Sequence, residues 1–149
     1  MSDVVSSLER LLIRRRRVGA ELVYLDGFDR WGPKSGPEFD ANMKAAGELF
    51  AERSRVTTEL RTLSDTTRAT CPDAVIAWAE AHIGLLERFI ASHQGPEHST
   101  NRFVADGEIA EWKRVKAGEI PFVDENCSYV SLDPKDHLAV FGPLESTPT

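Results

Sequence analysis

The chain offers several groups of residues that could do chemistry. The first is Gly27-Phe28-Asp29-Arg30-Trp31-Gly32-Pro33-Lys34-Ser35, close to a phosphate-binding loop. That motif needs a glycine, four residues, then Gly-Lys-Ser/Thr, with backbone N–H groups cradling the phosphates. Here Pro33 stands between Gly32 and Lys34 and removes one of those donors, and the preceding residues read as a helix where a strand is required. Asp26 and Asp29 in the same stretch do not make a calcium loop: position 28 is phenylalanine, and the twelfth position from Asp26 is Pro37 where a glutamate is needed. Of the four histidines, none has a glutamate three residues before it, which excludes the di-iron helical pattern. His93, Glu97 and His98 cluster at the end of a predicted helix and are the one candidate metal group, set against a dipole-favoured helix-end histidine with solvated neighbours. Cys127 and His137 would need to lie within about 3.2 Å to act as nucleophile and base, but a hairpin register pairing Leu132 with His137 puts them about 17 Å apart. Cys71, before Pro72, reads as a small capping or core residue. No cofactor and no metal are therefore expected.

Two groups suit binding better than catalysis. Arg14-Arg15-Arg16-Arg17 is the densest charge run, but four consecutive helical positions span about 300°, so they cannot form one flat phosphate-binding face. Arg15 falls on the apolar seam of its helix, with Glu48, Glu52 and Glu59 of the next helix as candidate partners. Phe28 and Trp31, with Arg30 between them, are either a plug over a bundle end or an interface anchor.

The elements that must position these residues are mostly helical. Val4, Leu8, Leu11, Arg15, Val18, Leu22 and Leu25 recur at steps of four and three and predict a helix from Asp3 to about Leu25. Ser6 with Glu9 is a candidate capping box one turn in. Asp26–Pro37, with three glycines and two prolines, predicts a loop. A second helix begins at Pro37, runs to about Thr66 and folds back on the first as a long antiparallel hairpin. A third, from Pro72 to the Gly95-Pro96 stop, has thirteen apolar residues among the twenty from Pro72 to Ala91 and is expected to be buried on several sides. A short fourth helix is expected from about Asp106 to Ala117, with Ile109, Trp112 and Val115 inward and Gly118 closing it. Residues 128–132 and 137–141 predict a small C-terminal β-hairpin turning at Asp133-Pro-Lys-Asp136. The fold class is thus mainly α: residues 1–94 form a helical bundle core and residues 95–149 an extension packed on the same domain.

At 149 residues the chain has room for one domain. It lacks a run of about 18 apolar residues, so no membrane helix is expected, nor does its start resemble a secretory signal. Two cysteines make no disulfide framework, and a cytoplasmic location is expected. Charge is uneven. Residues 1–71 hold 12 basic and 11 acidic side chains; residues 72–149 hold 6 and 13. The acidic half repels nucleic acid and attracts basic partners. The expectation is a non-enzymatic protein-binding protein, an immunity-protein or antitoxin-type inhibitor acting through an acidic surface. Its expected contacts are Phe28, Arg30, Trp31, Asp124, Glu125, Asp133 and Asp136. The alternative is an adaptor or small subunit of a larger complex, nucleic-acid-associated through Arg14–Arg17 in one version. A homodimer through the helical hairpin is a further expectation.

Overall fold

The structure, a computed structural model, describes residues 3–32 and 34–123. Four helices account for most of them: α1 (Asp3–Trp31), α2 (Pro37–Thr70), α3 (Pro72–Ser92) and α4 (Ser99–Ala117), with a single 3-10 turn at Pro96–His98 before α4. Short connections force each helix to reverse on its predecessor. α1 packs along α2 and α3 along α4, and α3 also touches α1 and α2, which puts it at the centre. The predicted β-hairpin and the acidic residues on or near it, Asp124, Glu125, Asp133 and Asp136, lie outside the described residues.

The core is built where apolar stripes meet. Val5, Leu8 and Leu12 of α1, Val56 and Leu60 of α2, Val75, Trp78, Leu85 and Leu86 of α3, and Trp112 and Val115 of α4 are buried, closed at one end by Phe122 and Val123. Each buried Leu or Val side chain contributes about 1.5–3 kcal/mol over leaving it in water.

Three helix boundaries differ from the sequence expectation. α1 does not stop at Leu25; its backbone stays helical through Trp31, so the expected loop shrinks to residues 32–36. One glycine inside a helix, Gly27, costs only about 1 kcal/mol relative to alanine. The helix has ended by Gly32, and α2 begins after Gly36, whose φ of 97° is the left-handed conformation that glycine tolerates. α2 runs four residues past Thr66 because Ser64 and Thr67 are buried in the bundle. It ends at Cys71, which precedes a proline and is extended (φ −149°, ψ 71°). α4 starts seven residues early, since Arg102 Nη1 donates to the carbonyls of His93 and Gly95, each at 2.7 Å, and ties the turn to the helix start.

The four lengths do not match. At about 1.5 Å per residue, α1 and α2 extend roughly 43 and 51 Å, α3 and α4 roughly 31 and 28 Å. The α1–α2 hairpin therefore projects beyond its partners as a two-helix arm. Among the described side chains, the last buried residue of α1 is Val18 and the first of α2 is Val56.

Candidate interaction surface

The polar residues at the bundle centre are engaged with one another. Glu9 of α1 accepts from Trp78 Nε1 (3.0 Å) and from His82 Nε2 (2.7 Å), both on α3. Glu108 of α4 accepts from Arg16 Nη2 of α1 (2.7 Å) and from Trp112 Nε1 at 3.4 Å. The His82 ring stacks on Trp112 with centroids 4.0 Å apart. Burial alone pushes the Glu9 carboxyl up. The attraction of His82, the hydrogen bonds from His82 and Trp78, and the Arg16 charge outweigh it and hold Glu9 below the ordinary carboxylate range. Glu9 is therefore a core residue, not half of a capping box with Ser6. Sequence reasoning missed this network, although its signal was present: an i, i+4 pair on each of two helices, Trp78/His82 and Glu108/Trp112.

The arginine run is divided among three faces, as its 300° sweep requires. Arg14 pairs with Glu52 (2.6 Å), an acid expected to meet Arg15. Arg15 is buried, donates to Thr57 (2.8 Å) and stands 5.0 Å over the Phe122 ring. Arg16 crosses to Glu108. Arg14, Arg15 and Arg16 are thus tied into the fold.

His93 and His98 do come together, rings edge to face with centroids 4.8 Å apart, and Glu97 Oε1 lies 3.4 Å from His98 Nε2. His93 Nδ1 donates to the Phe89 carbonyl, and its ring stacks on Phe89. Among the described residues no three His, Cys, Asp or Glu side chains form a group able to hold a metal ion, and no helix is long and apolar enough to cross a membrane. Cys71 is exposed at the α2–α3 junction. An open groove of about 420 Å³ between α3 and α4 is lined by Glu87, Ile90, Ala91, Asp106, Ile109 and Lys113.

The arm is different. Val23, Met43 and Phe50 are 74%, 52% and 59% exposed. Their positions follow from the body. On α1, Glu9, Arg16 and Val23 are spaced by seven, so they share one stripe to within about 20° per step. Glu9 reaches α3 and Arg16 reaches α4. On α2, Ser64, Thr57, Phe50 and Met43 are also spaced by seven. Ser64 donates to the Pro121 carbonyl (2.6 Å), and Thr57 accepts from Arg15, which lies over Phe122. Both stripes look toward α3, α4 and the segment after α4. In the body that face is covered. In the arm α3 and α4 have ended, and the same stripes carry apolar side chains into solvent.

Phe28, Arg30 and Trp31 sit on the last two turns of α1, at the tip of this arm. The seam of α1 is internal, split between α2 and α3. Comparison with known protein families, characterised proteins and solved structures finds no match to this chain.

Proposed function

We propose that this protein is a non-catalytic protein-binding module, an adaptor or small subunit whose α1–α2 arm docks against a helical partner. The observation that carries this reading is the exposed stripe of Val23, Met43 and Phe50 on the one face of the hairpin that elsewhere accepts another pair of helices. An apolar strip framed by polar residues on a projecting element is the usual form of a docking surface. The buried ionisable groups are accounted for by the fold: Glu9 pairs with His82, and Glu108 with Arg16, inside the bundle.

The immunity-protein or antitoxin reading is a narrower version of the same function. It is favoured by the charge of residues 72–149, seven acids in excess, which suits a partner with a basic surface. The acids nearest the C-terminus that would carry it lie outside the described residues.

Affinity capture from cells that make the protein tests the proposal. The wild type is expected to retain a partner protein that Phe50→Glu and Met43→Glu lose. Phe103→Glu, at a 79% exposed site on α4, should retain it. Equal capture by all three variants would remove the arm as the binding surface, and loss on charge reversal of Asp133 and Asp136 alone would favour the inhibitor reading.

A further inference from the structure

The two stripes of the arm are covered differently in the body. On α1 the cover is α3 and α4, met through Glu9 and Arg16. On α2 it is the segment after α4. Arg68 donates to the Ile120 carbonyl and Ser64 to the Pro121 carbonyl, and Thr57 accepts from Arg15, which stands over Phe122. Ile120, Pro121 and Phe122 thus meet α2 at successively earlier residues, each nearer the arm. Phe122 and Val123 are buried, so this contact belongs to the packed core. The next position of the same stripe is Phe50, seven residues before Thr57, and the one after is Met43. The segment after α4 therefore reaches the root of the uncovered strip, on the face that the strip continues, and runs toward it.

Residues 124–149 follow Val123. Thr57 and Met43 are about 21 Å apart along α2, a distance that about seven extended residues span at ~3.3 Å each. On that count Tyr129 and Val130, the first large apolar side chains after Val123, come within reach of Met43; Leu132, Leu138, Val140 and Phe141 follow. A tether this short holds a segment at an effective concentration on the order of millimolar, so a contact too weak to persist between separate molecules still closes within one chain.

We infer that residues 124–149 dock on the arm of their own chain, laying the apolar side chains of residues 129–141 over Phe50, Met43 and Val23 and continuing the contact that Pro121 and Phe122 make in the body. This rests on the reading of the arm as a docking face and adds its regulation: the partner and the chain's own segment compete for one strip. The partner's apparent affinity falls with the fraction of chains in which the strip is open.

Paramagnetic labelling tests this on the full chain. A nitroxide on Ser54→Cys, one turn from Phe50, in a Cys71→Ser and Cys127→Ser background should remove most of the intensity from the amide resonances of residues 129–141. A nitroxide on Cys71, about 32 Å along α2 from Phe50, in Cys127→Ser protein should leave them. Adding Phe50→Glu to the Ser54→Cys protein should restore the signals, and adding Phe103→Glu should not; unchanged resonances of α3 and α4 show that each variant still folds. Mixing nitroxide-bearing protein with isotope-labelled protein that carries no nitroxide should cause no loss, since the contact lies within one chain. Resonances of residues 129–141 untouched by the Ser54 label overturn the inference, as does a loss indifferent to Phe50→Glu. A loss as large in the mixture as in the single chain also overturns it and puts a second copy in place of the segment. Val130→Glu with Phe141→Glu, which leaves the arm itself intact, should raise capture of the partner several-fold; unchanged capture overturns the competition. Docking without any Phe50-dependent partner overturns the adaptor and leaves the docking. A Phe50-dependent partner without docking overturns the docking and leaves the adaptor.

Discussion

Trp78 of α3 and Trp112 of α4 stand edge to face with ring centroids 4.9 Å apart, and each gives its indole N–H to a different buried glutamate. Two large apolar rings thereby fill the bundle centre while their polar edges hold Glu9 and Glu108. The arrangement links three helices: α1 supplies Glu9 and Arg16, α3 supplies Trp78 and His82, and α4 supplies Glu108 and Trp112.

Removing one member should therefore cost more than a hydrogen bond. Glu9→Ala leaves the buried Trp78 N–H and His82 without their acceptor and should destabilise the fold by about 3–5 kcal/mol. Glu9→Leu fills the space but leaves the same two groups unsatisfied, so it should recover only part of the loss. Urea denaturation of the two variants and the wild type makes the comparison; a loss below about 1 kcal/mol for Glu9→Ala would show that water reaches the site.

Acid should unfold the protein partly through the same residue. Glu9 is held below the ordinary carboxylate range in the folded protein. Its contribution is complete above the unfolded-state value, near pH 4.3, and is lost as the pH falls through the lower folded value. Stability measured from pH 6 downward should start to fall below about pH 5 and continue through pH 3. In Glu9→Gln this part of the acid dependence should be shallower, since one proton uptake on unfolding is gone.

The body and the arm should respond differently to truncation. Leu86→Ala, at a site 1% exposed in α3, should cost about 2–5 kcal/mol. Phe89 lies at the edge of the core, half-buried, and Phe89→Ala should cost less. Phe50→Ala, at a site outside the core, should cost the least of the three. Thermal melts of the three variants give the order directly.

Gly118 is a glycine for two reasons. Its φ of 85° is left-handed, and a methyl group there would stand 2.7 Å from Arg68 Nη1. Arg68 in turn donates to the carbonyls of Val115 and Ile120, fastening the end of α4 to α2. Gly118→Ala should cost about 1 kcal/mol or more and loosen that junction. Hydrogen exchange should show faster opening of residues 112–123 in the variant, with the α1–α2 hairpin unchanged.

Much of the helical framework follows from the sequence by itself. The apolar spacing on α1, α2 and α3, Pro37 and Pro72 at first helical positions, and Gly118 after α4 are local signals. Helix formation answers to them because backbone hydrogen bonding and side-chain periodicity are set within a few residues. The inward face of α4 was legible for the same reason: Ile109, Trp112 and Val115 lie on its buried side. The extent of α1 was not, because a glycine weakens a helix without ending it, and whether Gly27 breaks the chain depends on what the following turns pack against. The partners of the buried polar residues were not legible either. Glu9 and His82 are 73 positions apart and Arg16 and Glu108 are 92 apart. Only the packing of the helices decides which of the many acids and arginines meet away from water. The arm was decided by tertiary structure alone. Periodicity shows that α1 and α2 have apolar stripes, but not that α3 and α4 end some 15–20 Å short of them. That difference in length leaves Val23, Met43 and Phe50 uncovered while identical spacing a few turns away lies in the core.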